Sequence, residues 1–162
     1  MEILLYVAFI IGCAIGLIGY TLITKPAKEN IIKAFIIAVI WTLFGLLWDF
    51  LGINIYHLWD NTVSLLPELW NIPIGNIPFC IFGGMLFVLI WDEFETPITQ
   101  GAFLLTATGT CGYGVVLLKE QGFLLHFEPY NSGWAYLFWL SQLLMMVVMD
   151  YLYKKYFLKT SS

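Results

Sequence analysis

Apolar residues run almost unbroken through five stretches of this chain, and its polar residues gather between them. The first stretch, "ILLYVAFIIGCAIGLIGYTLIT" at 3–24, stops at the lysine-bearing "KPAKENIIK"; the others fall at about 31–53, 72–91, 96–118 and 133–153. Each approaches the roughly 20 residues a helix needs to cross about 30 Å of hydrocarbon. A helix also satisfies its own backbone polar groups where no water is present to do so. The pattern predicts an all-α integral membrane bundle of five transmembrane helices, one domain over 1–162, with an aromatic-rich outer loop. Pro73 and Pro78 fall in the first turns of the third segment, the least regular of the five.

Lysine placement orients the bundle. With five crossings, Lys25, Lys28 and Lys33 share a side with Lys154, Lys155 and Lys159, and Lys119 stands opposite. The excess of cytoplasmic lysine found in membrane proteins then puts the N-terminus outside and the C-terminus in the cytoplasm of a cell-membrane protein. A re-entrant third segment would split the two lysine groups, so five spans fit better. The chain opens Met1-Glu2 without a basic leader, which argues against a cleaved signal peptide.

Composition agrees. Of 162 residues, 60% are hydrophobic and 11% charged, and the mean hydropathy is +0.85, whereas soluble domains carry about 25% charged residues. The net charge is −4 and arginine is absent, which excludes the basic footprint of a nucleic-acid partner. Cys13, Cys80 and Cys111 lie singly in apolar runs, without the spacing of a disulfide framework or a zinc site. No metal and no cofactor is expected.

The pair Trp-Asp occurs at 48–49, 59–60 and 91–92. Trp59-Asp60 and Trp91-Asp92 read as boundary marks, a tryptophan at the membrane interface followed by the first residue to reach water. Asp49 differs. It follows fifteen uncharged residues, and it lies sixteen residues after Lys33, which at 1.5 Å per residue is about 24 Å into a core of about 30 Å. Thr42, Gly45 and Gly52 share its helical stripe, so it is expected to face the bundle. An ionisable residue in that position is a candidate functional site, with a helix-end acid bonded to backbone as the alternative. Asp150 has a simpler account, pairing with Lys154 one turn on.

Further polar groups could meet Asp49. The fourth segment carries "TATGTCGYG", with Thr106, Thr108, Thr110 and Tyr113 as donors and Gly109, Gly112 and Gly114 as close-packing positions; the fifth carries Ser141 and Gln142. Interhelical hydrogen bonds account for most of them, and Trp48, Trp59, Tyr113 and Gln142 are weak ligand-binding candidates. Both histidines fall in outer loops, His57 near Asp60 and His126 near Glu128. His57, His126 and Glu128 are thus weak candidates for acid–base work, although neither spacing is specific. The leucine- and tryptophan-rich loop "NIYHLWDNTVSLLPELWNIPIGNIPF" reads as an interfacial anchor or as a lid over the bundle mouth.

"LLWDFLGINIYHLW" followed by "WNIPIGNIPFCIFGG" resembles the small multi-helix lycopene cyclase domain over about residues 44–85. Trp48, Asp49, Gly52, Trp59, Ile72, Pro73 and Phe79 follow its outline. The resemblance implies a helical membrane fold and an isoprenoid substrate. Where that family places paired glutamates for proton transfer, this chain has Gly75 and Asn76, which argues against that mechanism. The remainder resembles small multi-pass proteins of bacterial membranes.

Three functions follow. The first is a non-enzymatic scaffold, complex subunit or lipid-binding module. The second is a membrane enzyme acting on an isoprenoid or other lipid through Asp49, and the third a transporter or channel subunit. The balance leans away from catalysis. The expected partners are membrane lipids and a second copy or partner protein docking on the glycine-rich fourth helix.

Overall fold

A computed structural model describes residues 2–61, 68–69, 72–73, 75–122, 124–127 and 131–158. Five α-helices account for most of them: α1 (Glu2–Thr24), α2 (Lys28–Phe50), α3 (Asn76–Trp91), α4 (Pro97–Glu120) and α5 (Ser132–Tyr153). Among the described residues three helical stretches are long and apolar enough to cross a membrane: Lys28–Ile55, Pro97–Glu120 and Gly133–Phe157. Ile10–Thr24 and Asn76–Trp91 are apolar but shorter.

Local chemistry explains where the helices begin. Thr96 caps α4, its hydroxyl accepting from Thr99 N at 3.2 Å, and Pro97 occupies the first turn, where no backbone donor is needed. Asn131 caps α5 by accepting from Gly133 N and Trp134 N. The third helix starts at Asn76 rather than near residue 72, because Ile72–Pro73 forms a short strand, β3. Pro78 then falls at its third residue, where the missing N–H costs no intrahelical bond. The second helix runs past its expected end through a π-helical turn, Leu51–Ile55, and a similar turn, Lys154–Leu158, extends α5.

The helices pack in the order α1, α3, α2, α5, α4, with α3 also touching α5. Successive helices run in alternate directions. Asp49 meets Asn76 near one end of the α2–α3 pair and Lys33 meets Asp92 near the other. The main core lies between α2, α3 and α5, where Ile37, Val88, Leu89 and Met146 are fully buried. Gly84 lets α3 approach α2, its missing side chain leaving the space that Trp41 and Ala38 fill. Gly112 does the same for α4 and α5, where a Cβ would overlap the ring of Tyr136.

Four short strands lie at the end opposite Lys33. Trp59–Asn61 (β1) pairs antiparallel with Leu124–His126 (β4), joining the α2–α3 and α4–α5 connections, and Glu68–Leu69 (β2) pairs with β3. Phe127 N donates to Leu58 O at 2.8 Å and strengthens the first junction.

Candidate functional site

Two polar centres occupy opposite ends of the bundle. At the strand end, Asp49 lies on the face of α2 that meets α3, and Asn76 Nδ2 donates to its Oδ2 at 3.4 Å. An amide rather than a second acid thus faces Asp49. Such a pair shares one hydrogen bond but cannot share a proton as two carboxyls would. Aromatic rings surround this end. Trp48 stacks on Phe138 with centroids 5.9 Å apart, and Trp59 meets the same ring at 6.3 Å.

Trp59 turns inward rather than outward. It is 7% exposed and forms a second small core with Ile53 and Ile72. Its indole fills the space a side chain at Gly52 would take. Gly52 therefore serves Trp59 rather than a neighbouring helix beside Asp49, and Gly45 faces open space. Trp91 is also buried, stacked on Phe87, and is the last residue of α3, with Asp92 as its cap. Of the three Trp-Asp pairs only Trp48, 43% exposed, presents its ring outward.

The other candidates do not converge on Asp49. His57 is exposed, with φ of 49°, at the turn that closes the π-helical segment. His126 contributes backbone to β4 opposite Trp59; its side chain and all of Glu128 lie outside the described residues, as do 62–67 of the lid-like loop. Tyr113 is exposed on the outer face of α4. Thr106, Thr110 and Ser141 spend their hydroxyls on their own helices, donating to Ala102 O, Thr106 O and Phe138 O. They are not the interhelical bonds expected of them, because a hydroxyl facing outward from a helix finds its own preceding turn first. Among the described residues no group of acids, histidines and cysteines could hold a metal ion.

The second centre was only partly legible beforehand. Asp150 Oδ2 pairs with Lys154 at 2.6 Å as the spacing predicts, but two further residues complete a ring. Lys33 Nζ lies 2.7 Å from Asp150 Oδ1 and also meets Asp92 Oδ2; Lys154 Nζ reaches Asp92 Oδ1 at 2.6 Å. Lys33 and Asp150 are nearly inaccessible, and Lys154 is 43% exposed. The quartet has no net charge and ties α2, the α3–α4 turn and α5 together. Close by, Tyr20 Oη donates to Glu93 Oε1 at 2.6 Å and fastens α1 to the same turn. In the sequence Lys33 reads as part of a basic stop with its neighbours Lys25 and Lys28; the signal against that is its position more than one turn into an apolar helix.

The fold thus defines a small helical membrane-associated protein with an ion-paired end and an aromatic, strand-capped end. No family model, curated protein or solved structure matches the chain.

Proposed function

We propose that this protein is a small multi-pass membrane scaffold or complex subunit, with all five helices crossing the bilayer, the N-terminus outside and the C-terminus cytoplasmic. The observation that carries this reading is the Lys33, Asp92, Asp150 and Lys154 ring, in which every charge faces two opposite charges within the chain. Intramembrane charges mark substrate paths when they are left for a ligand; here they hold helices together. Asp49 fits the same logic, with Asn76 as its partner. Outward-facing apolar side chains on α1, α2 and α5, such as Ile15, Leu43 and Tyr151, suit lipid. Gly101, Gly109 and Gly114 of α4 leave open surface for a second copy or another membrane protein.

A second reading, an enzyme acting on an isoprenoid lipid, draws on the placement of Asp49 beside the Trp48, Trp59 and Phe138 cluster. Native mass spectrometry with lipid extraction separates the two, applied to wild type and Asp49→Asn purified from their own membrane. Identical lipids and identical bound proteins on both support the scaffold. A lipid that is chemically altered only by the wild type supports the enzyme and overturns it.

A further inference from the structure

Midway along α2 and α5 are three polar atoms that are buried and have no hydrogen-bond partner: Trp41 Nε1, Trp139 Nε1 and Gln142 Oε1. Trp41 is 5% exposed, and its ring lies 6.2 Å from that of Trp139, tilted by 50°. Gln142 follows Trp139 by three residues, which puts both side chains on one face of α5. Thr108 Oγ1 is also unpartnered, but it sits one turn from Gly112 and belongs to the α4–α5 seam instead.

Trp41 is eight residues from both Lys33 and Asp49, so the site is about 12 Å from each charged level. Hydrocarbon offers nothing for these groups to bond, and a buried polar group left unmade bears its whole desolvation cost. The three are also complementary in kind. An indole N–H only donates and an amide oxygen only accepts, so none of the three is satisfied by a purely apolar filling.

We infer that the α2–α5 seam binds a single hydroxyl group, whose oxygen accepts from Trp41 and Trp139 and whose hydrogen is donated to Gln142. One oxygen taking a bond of about 2.9 Å from each indole bridges donors up to roughly 6 Å apart, a span that two rings with centroids 6.2 Å apart and tilted by 50° have room to present. The chemistry has two sources, an internal water or the headgroup of a lipid-soluble alcohol. A buried water typically makes about three hydrogen bonds, the number available here. The site is separate from Asp49 and from the ion ring, and it stands whether the protein is a scaffold or an enzyme.

The test uses full-length protein in lipid nanodiscs, deuterated and labelled with ¹⁵N at the tryptophan indoles. Of the seven tryptophans, the two signals are assigned with Trp41→Phe and Trp139→Phe. The expected result is a cross-peak from both indole protons to the water resonance, or, on titration with 1-dodecanol, a saturable shift of both with loss of the water cross-peaks. The first outcome identifies water and the second a lipid alcohol. Gln142→Met should at least halve either response, and Trp41→Phe should shift the Trp139 proton, since the two share one oxygen. Absence of both responses in wild type, or responses unchanged in Gln142→Met, overturns the inference. If Gln142→Met fails to fold, the wild-type spectrum and the Trp41→Phe shift decide it.

Discussion

Lys33 Nζ lies 2.7 Å from Asp150 Oδ1, with side chains 1% and 4% exposed, so a lysine from the start of α2 and an aspartate from the end of α5 are buried against one another. Neither charge would be tolerated there alone. Desolvating two ions costs several kcal/mol each, and their attraction offsets this only where further hydrogen bonds complete the set. Asp92 and Lys154 supply that completion.

Lys33→Met should therefore destabilise the bundle by about 3–5 kcal/mol, the usual cost of stranding a buried charge. Adding Asp150→Leu to it should recover most of the loss, because the Asp92–Lys154 pair survives alone. Unfolding by denaturing detergent, followed by tryptophan fluorescence, measures both. A double variant as unstable as the single one would mean that the ring does more than neutralise charge.

Asp49 and Asn76 make a smaller contribution. Interhelical hydrogen bonds in membranes average about 0.6 kcal/mol, and Asp49→Asn keeps a carbonyl that Asn76 Nδ2 can still reach. That substitution should cost less than about 1 kcal/mol, while Asp49→Leu, which leaves Asn76 unpartnered, should cost about 1–3 kcal/mol. The same unfolding assay ranks them. A loss in Asp49→Asn as large as that in Asp49→Leu would show that the carboxyl itself is required, and not only an oxygen that Asn76 can reach.

Gly112 and Tyr136 test the α4–α5 seam. Gly112→Val pushes methyl groups into the space held by the Tyr136 ring, and overpacking of this sort costs about 1–3 kcal/mol. Pairing it with Tyr136→Ala should restore stability, as a double-mutant cycle would report. Gly109→Val, which meets nothing within 4 Å in the chain, should leave monomer stability unchanged. A change in oligomeric state with Gly109→Val would place a second copy on that face.

The helices were legible because hydrophobic length is a property of each segment by itself. The clearest departures, the start of α3 at Asn76 and the π-helical run past Phe50, come where prolines and a tertiary contact intervene. Trp59 and Trp91 are more instructive, because both rings turn inward. A tryptophan next to an aspartate reads as an interface marker, but Trp59 is drawn inward by the vacancy at Gly52, more than a turn earlier in the chain. Asp49 stands out in the sequence by its isolation, but its pairing with Asn76 does not, because nothing local says which side chain a neighbouring helix will present. For Lys33 the difficulty was the reverse: two nearby lysines made a buried charge look like a solvated one.

Lys33, Asp92, Lys154 and Tyr20 gather at one end of the bundle, and Asp49, Trp59 and the paired strands β1 and β4 at the other. If all five helices cross the membrane, these ends lie on opposite sides of it. Cysteines introduced at Lys25, Glu95 and Lys155, in a background with Cys13, Cys80 and Cys111 replaced by serine or alanine, should then be shielded in intact cells from a membrane-impermeant maleimide. Cysteines at Asp60 and Gln121 should be labelled. Glu95 carries the most weight, because it follows α3, whose sixteen residues span only about 24 Å as a helix. Labelling of Glu95→Cys from outside, with Lys155→Cys still protected, would mean that α3 does not cross with the rest, and the five-span arrangement would fall.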